Sequence, residues 1–544
     1  MASKDSFGKT GDLWSSMFNW MSGTMTAAAQ IQQANMRAFA QSMELATSAY
    51  ARMWGQPVEQ VVPADRRFKD EAWTENMAAD LLKQSYLITS QLMEIADGWQ
   101  AIDPDLHERT RFWTQQLVDA TSPANFAMTN PVVMQEIART GGMNLIQGAQ
   151  NLLKDAQSGR LTQVPEDAFE VGKDLAITPG KVVYRNRLEL IQYTPATETV
   201  HEIPILVVPP WINKYYVMDM QPENSLFKYL VDAGFLFTIS WKNPDETVLD
   251  LEWDDYLDLG TLEALRMVKE IMGVEQVNLV GYCLGIISQV TLAYLAATGD
   301  DAQINSATYF TTHQDFSDAG EISVFISRLD VMFLEMKISG GYLDGRNLAA
   351  TFNMLRANDL LWNYVVHNYL LGQEPASFDL LYWNNDGTRV PGKVHSFLLR
   401  EFFLDNKLKE PEGIQVKGVG IDLGKITTPT VVTADRDHIV PWRGAFLVRQ
   451  LQSGPVRFIL SGGGHIAGVI SPPTKNRGFW INEEEKDDAD AWLAGATKHD
   501  GSWWVDWIPW LEERSGRRVK PPTAAGSDEF KPLMDAPGTY VLEK

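Results

Sequence analysis

Val277-Asn-Leu-Val-Gly281-Tyr282-Cys283-Leu284-Gly285 joins an apolar run to a helical pattern extending from Ile286 to Ala297. Read in order, this is a strand, a sharp turn and a helix. Glycine two residues before and two after Cys283 lets the backbone turn where a side chain would collide, so the thiol stands exposed at the strand's end. The N-terminus of the following helix then faces the thiol, and its partial positive charge favours thiolate. The competing reading is a buried structural thiol with glycines on both sides by accident. With 40 Gly in 544 residues, that chance is about 0.5%.

Further short apolar runs lie on either side, at Ile205–Val208, Leu236–Ser240, Ala307–Phe310, Thr430–Thr433 and Val456–Leu460. Each leads through a turn into helical periodicity, which predicts parallel strands with crossover helices. The segment from Thr311 to Ile426 breaks this rhythm and reads as an insertion covering the sheet. Before Pro179-Gly180 the texture is different: Trp14, Met17, Phe18 and Met21 recur at helical spacing within Asp12–Met53. Helical patterns continue over Asp80–Asp97, Leu106–Asp119 and Asn130–Asp155. The expected organisation is therefore a helical domain over residues 1–178, then an α/β catalytic domain over 179–544 with its insertion at about 314–425. The acidic run Glu483–Asp490 reads as a solvated loop.

Bulk properties narrow the class. A chain of 544 residues exceeds one typical core, and 45% hydrophobic with 22% charged residues is an ordinary globular composition. The 18 Trp fit a large core. A formal charge of −23 repels phosphate backbones and argues against general nucleic-acid binding. One cysteine forms no intramolecular disulfide, which fits a reducing compartment. The N-terminus lacks a signal-peptide pattern and no apolar run is long enough to cross a bilayer, so a soluble, cytoplasmic protein is expected.

A thiol nucleophile needs a base. Of the eight histidines, His465 alone sits in a glycine-rich loop, Ser461-Gly-Gly-Gly-His465-Ile-Ala-Gly468, directly after the last predicted strand; the other reading is a plain turn histidine. Asp437, in Ala434-Asp-Arg-Asp437-His438-Ile-Val-Pro441, follows the strand Thr430–Thr433 and is the candidate acid. Asp435 is a neighbour easily mistaken for it, and His438 is expected to brace the loop. Nucleophile, acid, histidine is the order of α/β-hydrolases. Such a site meets an oxyanion with the N–H of Leu284 and one from the loop beginning Val208-Pro-Pro-Trp211-Ile212. Pro209 and Pro210 have no N–H, which leaves Trp211 or Ile212. No metal-ligand spacing, P-loop or dinucleotide fingerprint is present, and no cofactor is expected.

Ten stretches resemble polyhydroxyalkanoate synthases of the single-subunit, short-chain type: DRRFKDEAW (Asp65–Trp73), PPWINKYYVMDMQPENSLFKYLVDAGF (Pro209–Phe235), SWKNPD (Ser240–Asp245), GYCLG (Gly281–Gly285), TTHQDFSDAG (Thr311–Gly320), RANDLLWNYVV (Arg356–Val366), YWNNDGTRVPG (Tyr382–Gly392), DRDHIVPW (Asp435–Trp442), GGGHIAGV (Gly462–Val469) and GSWWVDWIPWL (Gly501–Leu511). The likeness covers nearly the whole chain. It implies an α/β-hydrolase fold with a helical cap insertion, preceded by an all-helical N-terminal domain. It also implies a homodimeric acyltransferase at polymer granules, with possible granule-associated proteins as partners, that joins 3-hydroxyacyl groups from coenzyme A thioesters. Cys283 then carries the acyl group and His465 is the base, while Asp437 either supports His465 or activates the substrate hydroxyl. The family's usual second glycine after the nucleophile box is Ile286 here, a departure bearing on packing beneath the turn and on acyl-chain preference. Two other functions compete: a thioesterase or esterase using the same triad, and a non-catalytic granule coat built on the Met- and aromatic-rich N-terminal helices.

Overall fold

A computed structural model describes residues 32–33, 36–48, 50–51, 54, 65–91, 104–235, 237–338, 341–484 and 486–544. The expected helical positions Trp14, Met17, Phe18 and Met21 lie outside the described residues. Contacts divide the chain into two units, one of Met1–Pro165 with Phe352–Ala376 and the other of Glu166–Thr351 with Ser377–Lys544.

The first unit is helical, with helices over Met77–Gln91, Pro104–Ala120, Pro131–Thr140 and Met143–Ser158. The pattern over Asn130–Asp155 thus becomes two helices. Gly141 and Gly142 both take positive φ, 62° and 85°, and end the first helix in a way that apolar spacing does not register. Asn130 caps that helix, its side-chain oxygen accepting from Val132 N and Val133 N ahead of Pro131 at the first position. The distant segment Phe352–Ala376 fits here because Gly148 has no side chain. A Cβ there would collide with the Tyr369 carbonyl and lie 3.0 Å from its Cα. Asn144 and Asn151 donate to the Leu370 and Asn368 carbonyls at 2.8 and 3.0 Å, pinning the same segment.

The second unit is built on one sheet. Its strands are β1 (Gly180–Arg185), β2 (Leu188–Tyr193), β3 (Ile205–Val208), β4 (Phe237–Trp241), β5 (Val277–Tyr282), β6 (Ile304–Phe310), β7 (Thr430–Asp435), β8 (Val456–Ser461), β9 (Phe479–Ile481), β10 (Thr497–His499) and β11 (Met534–Asp535). The spatial order is β10-β9-β8-β7-β6-β5-β3-β4-β2-β1-β11. From β8 to β4 all neighbours are parallel, while the strands outside them are antiparallel. The six parallel strands are the six apolar runs of the sequence. Alternate residues feed opposite cores: Ile205, Val207, Val280, Val431 and Ile459 pack on one side, Leu206, Val208, Leu279, Val432 and Leu460 on the other. Burial on both faces is why these strands read as continuous apolar runs rather than alternating ones.

Two features depart from the sequence reading, while the strand expected at Leu236–Ser240 runs over Phe237–Trp241, Leu236 lying outside the described residues. Gly180–Tyr193 forms an antiparallel hairpin, β1 and β2, which the pattern of strand followed by helix does not include. The end of the acidic run starts a helix, Ala489–Ala494, with the Asp488 carboxylate accepting from Ala491 N. An acidic residue ahead of a helix is as much a cap as a solvated loop.

Candidate active site

β5 runs straight into a tight turn, Cys283–Ile286, and then the helix Ile287–Thr298. Cys283 has φ of 54°, a left-handed conformation that costs a non-glycine residue about 1–2 kcal/mol. Such strain is held by its surroundings. A Cβ at Gly281 would collide with the Gly285 carbonyl and lie 2.8 Å from Ser288 Oγ, and one at Gly285 would lie 2.9 Å from Val208 O. Both glycines therefore permit the close packing that fixes the turn.

Parallel register brings the other groups to the same end of the sheet. Asp435, the last residue of β7, pairs with Ser461, the last of β8. Asp437 and His465 follow in the two adjoining loops. Cys283 Sγ is 3.2 Å from His465 Nε2, and His465 Nδ1 is 2.5 Å from Asp437 Oδ2. The other Asp437 oxygen accepts from Ile439 N at 2.8 Å, and its side chain is fully buried. The Tyr282 ring stacks against His465, with centroids 5.9 Å apart.

The charges are tuned together. Burial favours a neutral His465, yet the Asp437 carboxylate and then the Cys283 thiolate outweigh it and hold the histidine pKa well above its ordinary value. Burial likewise works against an ionised Asp437, but the His465 charge and hydrogen bond bring it below the usual carboxylate value. This arrangement can deprotonate a thiol and retain the proton beside it.

Among known proteins, the family described as "Poly-beta-hydroxybutyrate polymerase (PhaC) N-terminus" matches residues 64–230, and that described as "alpha/beta hydrolase fold" matches residues 217–472. The poly(3-hydroxyalkanoate) polymerase subunit PhaC of Cupriavidus necator is 41% identical over 539 residues, covering 96% of this chain and 90% of that one. This chain belongs to the poly(3-hydroxyalkanoate) polymerase family. The poly(3-hydroxyalkanoate) polymerase of Methylorubrum extorquens is 43% identical over 91% of this chain and 84% of its own, and the subunit of Rhizobium meliloti 41% over 90% and 82%. Among solved structures, epoxide hydrolase A from Mycobacterium thermoresistibile aligns over 54% of this chain and 94% of that one, at 16% identity and a TM-score of 0.33.

As a poly(3-hydroxyalkanoate) polymerase family member, the chain is an acyltransferase on an α/β-hydrolase fold. The contact between Gly285 and Val208 O sets the turn that carries Leu284 against the start of the loop that carries Trp211 and Ile212. Trp211 is buried between Trp253 and Tyr256, with centroids 5.3 and 5.4 Å away. Thr388 Oγ1 ties the loop down, donating to Trp211 O at 3.1 Å and accepting from Asn213 N at 2.8 Å. Ile286 is buried in the core beneath the turn. The main-chain carbonyl of His438 accepts from Glu321 N at 2.8 Å.

Of two further residues near the site, the sequence reading gave His313 no role and named Asp435 only as a neighbour of Asp437. His313 is buried and its Nε2 lies 3.0 Å from Ile439 O, behind the Asp437 loop; burial lowers its pKa to about 4, so a neutral ring donates there. Asp435 is 1% exposed against the His465 loop. Among the described residues, no group of three or more His, Cys, Asp or Glu could hold a metal ion, and no helix is long and apolar enough to cross a membrane.

Proposed function

We propose that the protein joins 3-hydroxyacyl groups, delivered as coenzyme A thioesters and foremost as 3-hydroxybutyryl-CoA, into a polyester with release of coenzyme A. The observation that carries this reading is the contact chain from Cys283 Sγ through His465 to Asp437, in a chain whose relatives are named polymerases. His465 Nε2 takes the thiol proton, and the thiolate attacks the thioester carbonyl. The N–H of Leu284, with that of Trp211 or Ile212, meets the developing oxyanion. Coenzyme A leaves with the proton from His465, and the acyl group stays on Cys283. The 3-hydroxyl of another unit then gives its proton to His465 and attacks the acyl-cysteine; the Cys283 thiolate departs and the chain is one unit longer. Asp437 orients His465 rather than activating the hydroxyl, a role favoured by its full burial and the engagement of both its oxygens. Coenzyme A arrives with the substrate, so no separate cofactor is required.

A hydrolase would use the same groups with water as acceptor, and only the product separates the two. The test is coenzyme A release from 3-hydroxybutyryl-CoA by the wild type and by Cys283→Ala, with the acyl product analysed. Insoluble polyester from the wild type alone supports the synthase; free 3-hydroxybutyrate makes the chain a thioesterase, and activity in the variant removes the thiol mechanism. The same reading places the protein in the cytoplasm as a homodimer on polymer granules, attached through residues 1 to about 100. Unchanged attachment after deletion of that region would refute the last point.

A further inference from the structure

Asp435 closes β7 and pairs with Ser461, which closes β8 just ahead of the loop that carries His465. It is 1% exposed, and its Oδ1 has no hydrogen-bond partner among the described residues. Its carbonyl accepts from Asp437 N at 2.7 Å. Its carboxyl lies directly under Gly468, where a Cβ would collide with it. The far end of the His465 loop is clamped at the same glycine, whose carbonyl accepts from Ser461 Oγ at 3.2 Å and from Trp503 Nε1 at 2.8 Å. Asp435 therefore touches both loops that bring acid and base to the thiol.

We propose that Asp435 is a positioning residue that seats the His465 loop on β7, and that a full negative charge on it unseats the loop. The inference rests on the thiol mechanism above. Burial is the main cause that lifts the Asp435 carboxyl to about 7, with Asp437 adding to it; hydrogen bonds from Ser461 and from Gly463 N, and the His465 charge, oppose the rise. The ionisable groups set around it are Asp437 on its own loop, His465 on the next and Tyr282 at the end of β5. A negative charge beside buried Asp437 has no cation of its own to meet, because His465 is already engaged by Asp437.

The test compares wild type, Asp435→Asn and Asp435→Ala from pH 6 to 9 by coenzyme A release and by iodoacetamide alkylation of Cys283, with folding followed by near-ultraviolet circular dichroism. Asp435→Asn mimics the neutral acid. It is expected to stay within about threefold of wild-type kcat/KM at pH 6 and to lose the decline that the wild type shows above pH 7. Asp435→Ala is expected to lower kcat about 10- to 100-fold with KM little changed, and to slow alkylation. Identical pH profiles for wild type and Asp435→Asn would overturn the proposal, as would wild-type kcat in Asp435→Ala. If Asp435→Ala fails to fold, the Asp435→Asn profile alone decides. Activity in Cys283→Ala would instead mark the failure of the thiol mechanism.

Discussion

Replacing Asp437 by Asn separates orientation of His465 from every other contact of the acid. The amide oxygen can still accept from Ile439 N, as Oδ1 does at 2.8 Å, so the loop keeps its shape. What changes is the group facing His465 Nδ1, now an N–H donor where a carboxylate stood 2.5 Å away. The imidazole must then accept at Nδ1 and carry its proton on Nε2, the atom 3.2 Å from Cys283 Sγ that has to take a proton. The lost attraction can be sized from Coulomb's law. Two unit charges about 4 Å apart at an effective dielectric of about 20 interact by about 4 kcal/mol, equivalent to roughly a thousandfold in the protonation of His465. The expected result is a loss of about 10³-fold in kcat/KM for coenzyme A release, with slowed alkylation of Cys283 at neutral pH and an unchanged near-ultraviolet spectrum. Activity within about tenfold of wild type would refute the orienting role and return Asp437 to the substrate hydroxyl.

Gly281→Ala places a Cβ against the Gly285 carbonyl and Ser288 Oγ, neither of which can retreat from a packed turn; it should cost about 1–3 kcal/mol in urea unfolding and most of the activity. Gly148→Ala pushes the Phe352–Ala376 segment off its helix through the Tyr369 carbonyl and should cost a similar amount, with Cys283 alkylation serving as a readout for the other unit. His395 is buried and, through desolvation, titrates near 4 rather than 6.5. Between those values the unfolded chain binds a proton that the native chain refuses, so stability should fall as pH drops from 6.5 to 4, by up to about 3 kcal/mol for this residue. His395→Leu should flatten that slope in urea titrations at several pH values, and an unaltered slope would count against the burial argument.

The parallel heart of the sheet was readable because its strands are buried on both faces and so stand out as bare apolar runs. The turn at Cys283 was readable for a local reason, since close packing within five residues demands glycine at two of them. Asp437 and His465 could be named because both follow strands whose ends coincide in register. What was hidden depends on distant partners. Nothing near Gly148 announces that Tyr369 will lie against it. The hairpin of β1 and β2 buries every residue of β2, including Glu189, which accepts from Thr539 N and Tyr540 N, so its pattern shows no alternation to detect. Asp435 looked like a spare acid because only the folded loop places Gly468 over it.

The great sheet also ends in an uneven way. After six parallel strands its outer members shrink, to three residues in β10 and two in β11. An open sheet exposes unpaired N–H and C=O groups along its borders, and a long border is a template for another copy to stack on. Here the borders are almost too short to serve, and β10 turns Thr497, Lys498 and His499 to water with a cation at its centre. A second copy meeting this sheet at either border would find little main chain to pair with, which works against edge-to-edge stacking through it.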